Sequence, residues 1–327
     1  MIDINKIEEA KQKIKKWINT TPLIKSEELS ERFHSEIYLK LEQLQHTGSF
    51  KVRGVFNSLL YLVEKNEKKG VITASSGNHG VALAYAGMKL ELPTIVVMPR
   101  NAPAIKKYLA KKYEAEVYLY GKNYQEALRF ARKLQNETGY SFIHSYEDQF
   151  VIAGHGTLGI EITEQLPDVE MVITGVGGGA LFAGTSLAFK HVNEKIQLVA
   201  VQPALVQTVR KSIQKGKPVE VTVSKKTIAE GLATGKLGST SFEILKKYMD
   251  FFISVSENEI TRAILNLLIN QKVVAEGAGA ATVATIPKLP PDSIKNRKVV
   301  CIISGGNIDP SVLSRIVRNA DVLKDPV

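Results

Sequence analysis

The chain has 327 residues, of which 44% are hydrophobic and 23% charged, and its formal net charge is +10. This length allows roughly two domains with a substantial core. Lys and Arg are spread along the chain and mixed with Glu, as in residues 64–69, and neither a basic tail nor a zinc-type Cys/His cluster accompanies them. The charge therefore indicates a solvated surface, and nucleic-acid binding is the weaker alternative.

The sequence also limits the cellular setting. Cys301 is the one cysteine and lies in an apolar run, so no internal disulfide can form and a cytoplasmic location is expected. The N-terminal segment mixes Ile with Lys and Glu at helical spacing, which is not the pattern of a signal peptide. No apolar run reaches membrane-spanning length, so we expect no membrane partner.

Hydrophobic periodicity predicts alternating strands and helices along the chain. An N-terminal helix, a strand at 37–42 and a helix around 55–62 come first. The segment 70–144 follows, with predicted strands at 71–74, 93–98, 116–120 and 142–144 and helices at 80–89, after an Asn101 cap, and at 123–136. The remaining predictions are helices at 156–165, 181–191 and 257–268 and strands at 171–174, 197–202, 251–256 and 299–304. The fold class is therefore α/β, with two doubly wound parallel sheets and a ligand site in the crevice between them.

The segment 42–54, EQLQHTGSFKVRG, connects the first predicted strand to the next helix. It places Lys51 near a helix start, where the partial positive charge of the backbone disfavours an ammonium group. Partial desolvation there lowers the pKa of an amine, as a Schiff-base nucleophile requires. A solvated lysine beside Arg53 at a loop exit is an equally good interpretation of this segment alone.

Three further loops follow predicted strands. The first, 75–80 (SSGNHG), has small polar residues and two glycines, which indicate a ligand-binding loop or an ordinary capped turn. The second, 175–181 (GVGGGAL), has three consecutive glycines, which favour a close backbone approach to a phosphate. The third begins with Ser304, whose hydroxyl can bond a ring nitrogen or cap the next turn.

The glycine loop also fits the G-x-G-x-x-A fingerprint of dinucleotide-binding proteins. That fingerprint needs an acidic residue at the end of the next strand, which here ends in Gln202 and Pro203. A nicotinamide enzyme is therefore the second cofactor hypothesis. A reactive lysine, a phosphate loop and a ring-nitrogen partner together favour pyridoxal 5'-phosphate.

With these four motifs in this order, the sequence resembles the threonine dehydratase and serine racemase branch of the pyridoxal-phosphate enzymes with the tryptophan-synthase-β fold. The resemblance covers nearly the whole chain. It implies a Schiff base at the catalytic Lys51. The implied cofactor-binding residues are Phe50, Lys51, Asn78, Gly177, Gly178, Gly179, Ala180, Leu181 and Ser304. The implied substrate-binding residues are Ser75, Asn78 and His79.

The resemblance implies β-elimination from a small hydroxy amino acid, L-threonine or L-serine, giving a 2-oxo acid and ammonia. Val52 and Arg53 after the lysine are typical of dehydratases and racemases. Ser76 is typical of racemases, in which a serine opposite the lysine returns a proton, so serine racemase is the alternative function with Ser76 catalytic. Gln202 and Thr208 stand where metal-dependent racemases have acidic ligands, so we expect no metal.

Two departures from the family pattern concern the ligand: His155 stands where glutamine is common, and Tyr146 where asparagine often contacts the ligand. Glu230 and Glu276 lie in segments that resemble loops near the cofactor, although Glu276 could equally be a helix cap. The resemblance also implies a large cofactor-binding domain of residues 1–65 and 145–327, a small domain of residues 66–144 and no C-terminal regulatory domain. A homodimer or homotetramer is expected.

Overall fold

The structure of the chain is a computed structural model that describes residues 2–223 and 226–319. Its strands in these ranges are β1 (Leu23–Lys25), β2 (Glu36–Leu41), β3 (Val71–Ala74), β4 (Thr94–Met98), β5 (Glu116–Leu119), β6 (Ser141–Phe142), β7 (Met171–Gly175), β8 (Gln197–Pro203), β9 (Phe251–Val255) and β10 (Lys298–Ile303). Its helices are α1 (Ile4–Ile14), α2 (Glu27–Phe33), α3 (Lys51–Glu64), α4 (Asn78–Lys89), α5 (Ala104–Lys112), α6 (Tyr124–Thr138), α7 (Gln149–Gln165), α8 (Ala180–Val192), α9 (Thr208–Lys215), α10 (Ser239–Tyr248), α11 (Glu257–Ile269), α12 (Gly277–Thr285), α13 (Pro291–Ile294) and α14 (Pro310–Arg318).

The strands form two sheets. The six-stranded sheet has the order β1-β2-β10-β7-β8-β9 and is parallel except for the antiparallel edge strand β1. The four-stranded sheet has the order β5-β4-β3-β6 and is parallel throughout. The predicted α/β class with two parallel sheets is therefore confirmed.

The inner strands are apolar on both faces because helices cover both sides of each sheet. All residues of β3, β4 and β7 are buried. Cys301 in β10 is fully buried, as its apolar surroundings predict, and burial raises the pKa of its thiol. None of the described helices combines the length and apolar character needed to cross a lipid bilayer.

Helix α7 begins seven residues before the predicted start at residue 156. Asp148 caps it by accepting hydrogen bonds from the backbone N–H groups of Phe150 and Val151 at 2.7 and 3.2 Å. The glycines inside this helix serve packing. A Cβ at Gly154 would lie 2.5 Å from the backbone oxygen of Arg53, so glycine allows α7 to lie directly against α3.

Two further predictions about helix starts need correction. Asn101 does not cap α5, because that helix begins at Ala104 and has Pro103 at its N-cap. Helix α3 begins at Lys51 itself, four residues before the predicted apolar segment. The lysine therefore belongs to the first turn of a regular helix.

Candidate active site

A cavity of about 570 Å³ is lined by the carboxyl ends of β3 and β7 and by the residue that follows β10. These three positions are Ala74, Gly175 and Ser304. The cavity therefore receives residues from both sheets, as expected for a ligand site in an open parallel α/β fold.

Lys51 points into this cavity from the start of α3. Its Nζ lies 3.4 Å from the backbone oxygen of Ser145 and 4.9 Å from the centroid of the Phe50 ring. Burial lowers the pKa of the amine to about 8, and the negative charge of Glu276 opposes this shift. The alternative of a solvated loop exit is wrong, because Arg53 is fully buried and Lys51 lines the cavity. A sizeable unprotonated fraction near neutral pH makes the amine a competent nucleophile and base.

The segment before Lys51 is tied to the end of β10. The backbone N–H of Phe50 donates to the carbonyl oxygen of Ser304 at 3.1 Å, and Ser49 forms a β-bridge with Gly305. Ser304 is 5% exposed and lines the cavity. These bonds hold Lys51 and the Ser304 hydroxyl in a fixed relation although the two residues are far apart in the sequence.

The glycine loop connects β7 to α8. Gly179 is the N-cap of α8 with φ of +93°, a conformation that glycine adopts without strain. A Cβ at Gly178 would clash with the ring of Tyr146. The first N–H groups of a helix lack acceptors within it, and Ala180 and Leu181 at the start of α8 line the cavity. The loop thus forms a backbone cradle of the kind that binds a phosphate.

The loop after β3 supplies the residues expected to contact substrate. The Ser75 hydroxyl accepts hydrogen bonds from the N–H groups of Gly77 and Gly80 at 3.2 and 3.1 Å, so it caps the start of α4. His79 is 2% exposed, and its Nε2 lies 3.1 Å from the carbonyl oxygen of Ile143. Burial and the charge of Lys51 lower the pKa of His79 to about 3, so this ring is neutral. Ser76 is half-buried and lines the cavity.

Asn78 and Glu276 meet in the cavity wall. Asn78 Nδ2 donates to Glu276 Oε1 at 2.5 Å, and Lys106 Nζ donates to Glu276 Oε2 at 2.9 Å. Glu276 stands at the N-cap of α12, but its side chain makes no capping hydrogen bond. Glu276 therefore holds the predicted cap position, but its carboxylate accepts from Asn78 and Lys106 in the cavity wall.

The sequence analysis did not identify Lys106. A sequence signal existed, because Ala102, Lys106 and Ala110 are spaced by four residues and all three are buried. A lysine in the apolar stripe of a helix must find a partner inside the protein. The surrounding lysines of α5 concealed this signal.

The two departures from the family pattern also lie at the site. His155 is fully buried, and its ring meets the Phe50 ring edge-on at 4.6 Å. Within the described ranges neither of its ring nitrogens has a hydrogen-bond partner. Tyr146 lines the cavity over the glycine loop, and burial raises the pKa of its phenol. Glu230 also lines the cavity, and burial raises the pKa of its carboxyl group.

Gln202 and Thr208 form an amide bridge behind the glycine loop. Gln202 Nε2 donates to the Val176 carbonyl at 3.0 Å and to the Thr208 hydroxyl at 2.8 Å, and Gln202 Oε1 accepts from the Val209 N–H at 3.2 Å. Residues 2–223 and 226–319 contain no group of three or more His, Cys, Asp or Glu that could hold a metal ion.

Comparison with known proteins identifies the family to which the chain belongs. The family model for pyridoxal-phosphate dependent enzymes matches residues 14–305. The chain is 44% identical over 318 residues to an L-threonine ammonia-lyase of Thermotoga maritima, which covers 97% of this chain and 79% of that protein. The fold matches maize serine racemase with a TM-score of 0.91 and 31% identity, over 97% of each chain. It matches the processed threonine deaminase isoform 2 of Solanum lycopersicum with a TM-score of 0.90 and 31% identity, over 98% of this chain and 88% of that one.

The fold and the lysine-containing cavity define an enzyme that uses pyridoxal phosphate. The chain belongs to the pyridoxal-phosphate dependent enzyme family, in the branch of threonine dehydratases and serine racemases. Its cofactor is pyridoxal 5'-phosphate. The alternative hypothesis of a nicotinamide cofactor is therefore wrong.

Proposed function

We propose that the chain is an L-threonine and L-serine ammonia-lyase that produces a 2-oxo acid and ammonia by β-elimination. The observation that carries this proposal is the 44% identity to an L-threonine ammonia-lyase over 97% of the chain. That relative is named for threonine, so activity on serine is tested separately below. Small hydroxy amino acids are therefore the proposed substrates.

The residues around the cavity suit the cofactor. Lys51 is the proposed point of covalent attachment, and the N–H groups of the loop Gly177, Gly178, Gly179, Ala180 and Leu181 are the proposed phosphate site. Phe50 would pack against the cofactor ring, the Ser304 hydroxyl would bond the ring nitrogen, and the Asn78 amide would bond the ring oxygen. When bound, pyridoxal phosphate supplies an electron sink for the charge that develops at the substrate Cα. Ser304 is neutral and cannot hold a proton on the ring nitrogen as a carboxylate would.

The chain itself supplies the proton transfer. When the Lys51 amine is free, its lowered pKa allows it to accept the α-proton of the substrate near neutral pH. The start of α4, at Asn78, offers a backbone N–H group to the substrate carboxylate. Ser75 supports this site by holding the N–H groups of the same turn.

The first test is an absorbance spectrum of the purified protein, followed by addition of L-threonine and of L-serine and an assay for 2-oxo acid. A bound-cofactor band with oxo-acid release supports the proposal for each substrate that reacts. Lys51→Ala should lose both the band and the elimination activity. Retention of both by Lys51→Ala would contradict the assignment of Lys51, and a protein that stays colourless with added pyridoxal phosphate would contradict the whole proposal.

Serine racemase is the second candidate function. It is supported by the position of Ser76 on the cavity wall and by the likeness to maize serine racemase. If both activities share the site, Ser76→Ala should abolish D-serine formation from L-serine and spare elimination. Chiral chromatography of the products decides this, and absence of D-serine from the unchanged enzyme would remove the racemase alternative.

We also propose a homodimer or homotetramer in the cytoplasm, made of chains with a large domain of residues 1–65 and 145–327 and a small domain of residues 66–144. The domain division is supported by the four-stranded sheet, all of whose strands lie between residues 71 and 142. The buried thiol of Cys301 suits a reducing compartment. Light scattering on a sizing column should give two or four times the chain mass of 36.0 kDa.

A further inference from the structure

Lys106 is a buried cation that does not line the active-site cavity. It lies on α5, next to the four-stranded sheet, and is 4% exposed. Burying an ammonium group is costly unless it is paired and hydrogen-bonded. An apolar residue at position 106 would satisfy packing. The buried charge of Lys106 behind the cavity wall therefore calls for a separate explanation.

The partners of Lys106 are cavity residues. Its Nζ donates to Asn78 Oδ1 at 2.6 Å and to Glu276 Oε2 at 2.9 Å. Asn78 Nδ2 donates in turn to Glu276 Oε1 at 2.5 Å, so the three side chains close a ring of hydrogen bonds. A fourth residue, Asn307, donates from its Nδ2 to Asn78 Oδ1 at 2.9 Å and to the Thr47 carbonyl at 2.7 Å.

These bonds determine which way the Asn78 amide faces. Its oxygen accepts from the two donors Lys106 and Asn307, and its nitrogen donates to a carboxylate oxygen of Glu276. A flipped amide would place its NH₂ group against the Lys106 ammonium and its oxygen against the Glu276 carboxylate. One N–H of Asn78 is used by Glu276, and the second is left to bind a ligand in the cavity.

The ring of hydrogen bonds also joins the two sheets. Asn78 and Lys106 follow strands β3 and β4 of the four-stranded sheet, whereas Glu276 precedes α12 and Asn307 follows β10, which belongs to the six-stranded sheet. The backbone N–H of Glu276 donates to the Gly305 carbonyl at 3.0 Å. This bond fixes the position of Glu276, which accepts the hydrogen bond from Lys106. Lys106 thus bonds across the crevice that forms the cavity.

We propose that Lys106 is a positioning residue: by bonding Asn78 and Glu276 across the crevice, it holds the Asn78 amide with an N–H group directed at the ring oxygen of pyridoxal phosphate. The inference rests on the placement of Asn78 beside the cofactor in the proposed function. It requires that Lys106 act on cofactor binding through Asn78 and not through general stability.

A double-mutant cycle tests this requirement. Pyridoxal 5'-phosphate is titrated into apoprotein of the parent, Lys106→Met, Asn78→Ala and the Lys106→Met/Asn78→Ala pair, and its dissociation constant is read from the absorbance of the bound cofactor. Loss of a hydrogen bond to a charged group predicts about tenfold weaker binding for Lys106→Met in the parent. In the Asn78→Ala background the same change should alter binding less than about twofold, because the residue it acts through is gone. Lys111→Met, an exposed position on the same helix, is the matched control.

Equal losses in the two backgrounds, or no loss in the parent, would overturn the proposal. Because Lys106→Met leaves Glu276 without its charged partner, Lys106→Met/Glu276→Gln is titrated as well, in which both buried charges are removed. Recovery of parent affinity in Lys106→Met/Glu276→Gln would likewise overturn it, since charge balance alone would then explain the effect. The titration needs no turnover, so a protein that binds cofactor but releases no oxo acid refutes the proposed function and still tests Lys106.

Discussion

At the scale of single residues, Lys51 owes its reactivity to desolvation at the start of a helix. Only the unprotonated amine attacks a carbonyl carbon, so the rate of covalent cofactor capture should follow the deprotonation of Lys51. Its folded pKa is about 8 instead of 10.5, so the rate should rise with pH and reach its midpoint near pH 8. Capture by apoprotein is measured by absorbance across this range, with Lys51→Ala as the background for surface lysines. A midpoint near the ordinary value of 10.5 would contradict a desolvated amine.

His155 presents the opposite case, a buried polar ring whose nitrogens bond to nothing within the described ranges. Burial lowers its pKa well below the ordinary value, so the ring is neutral. Its desolvation costs free energy that no hydrogen bond offsets. We expect His155→Leu to raise the free energy of unfolding of the apoprotein by about 1–3 kcal/mol. Urea denaturation measures this change, and His191→Leu at an exposed helix position is the control. A loss of stability in His155→Leu would contradict this expectation.

At the scale of elements, the glycine loop packs closely against the ring of Tyr146. A Cβ at Gly178 would collide with the Tyr146 ring, so Gly178→Ala should displace the loop and weaken binding of pyridoxal phosphate by about tenfold, on the order of 1–2 kcal/mol. Replacing the ring as well, in Gly178→Ala/Tyr146→Ser, should recover most of the affinity. Cofactor titration of the parent, the two single variants and the pair measures both effects. Failure of the second change to restore binding would show that the glycine is needed for its backbone alone.

A second element-scale feature is a buried group of charges that joins β2, α3 and α7. The fully buried guanidinium of Arg53 bonds Glu42 at 2.8 and 2.7 Å and Glu161 at 2.9 and 3.1 Å. Lys40 Nζ bonds Glu161 at 2.6 Å, which balances the charges. Arg53→Met leaves a buried carboxylate uncompensated and should lower the free energy of unfolding by about 3–5 kcal/mol. Thermal and urea unfolding measure the loss, and Arg129→Met, at an exposed position, should change little.

The same group predicts how stability responds to acid. Burial alone would raise the pKa of Glu161, but the charges of Arg53 and Lys40 outweigh it and hold that pKa below its ordinary value of 4.5. A carboxylate with a lowered folded pKa stabilises the fold above its unfolded pKa, and this contribution is lost as pH falls through the folded value. The apoprotein should therefore lose stability below about pH 4.5, and this loss should be smaller in Glu161→Gln. An identical acid profile in the two proteins would assign the loss to other groups.

Local patterns predicted the elements that carry their own signals. Apolar strands followed by glycine-rich loops predicted β3, β7 and β10 and hence both sheets. The start of α7 was missed because its glycines resemble helix breakers, whereas close packing against α3 requires them. Lys106 was missed because its partner Glu276 is 170 positions away in the chain. Sequence periodicity indicates that a residue is buried, but only the fold brings its partner to it.

At the scale of the whole molecule, a metal should be unnecessary. The Gln202 amide already joins the glycine loop to α9 with hydrogen bonds of 3.0, 2.8 and 3.2 Å. We expect dialysis against a chelator to leave both elimination activity and the melting temperature of the holoenzyme unchanged. Gln202 and Thr208 carry no negative charge to attract a divalent cation, so re-addition of Mg²⁺ or Ca²⁺ should also have no effect. A fall in activity that is restored by a divalent cation would contradict this interpretation of Gln202.

The strand order has a consequence for folding during synthesis on the ribosome. In the six-stranded sheet, β10 separates β2 from β7, and Ile37 pairs with Val299. Strand β2 therefore lacks this neighbour until residues 298–303 have been synthesised. The four-stranded sheet has all its strands between residues 71 and 142 and can assemble while the rest is still being synthesised. Until β10 is synthesised, β2 and β7 lack the strand that lies between them, and their unpaired edges are open to pairing with other chains.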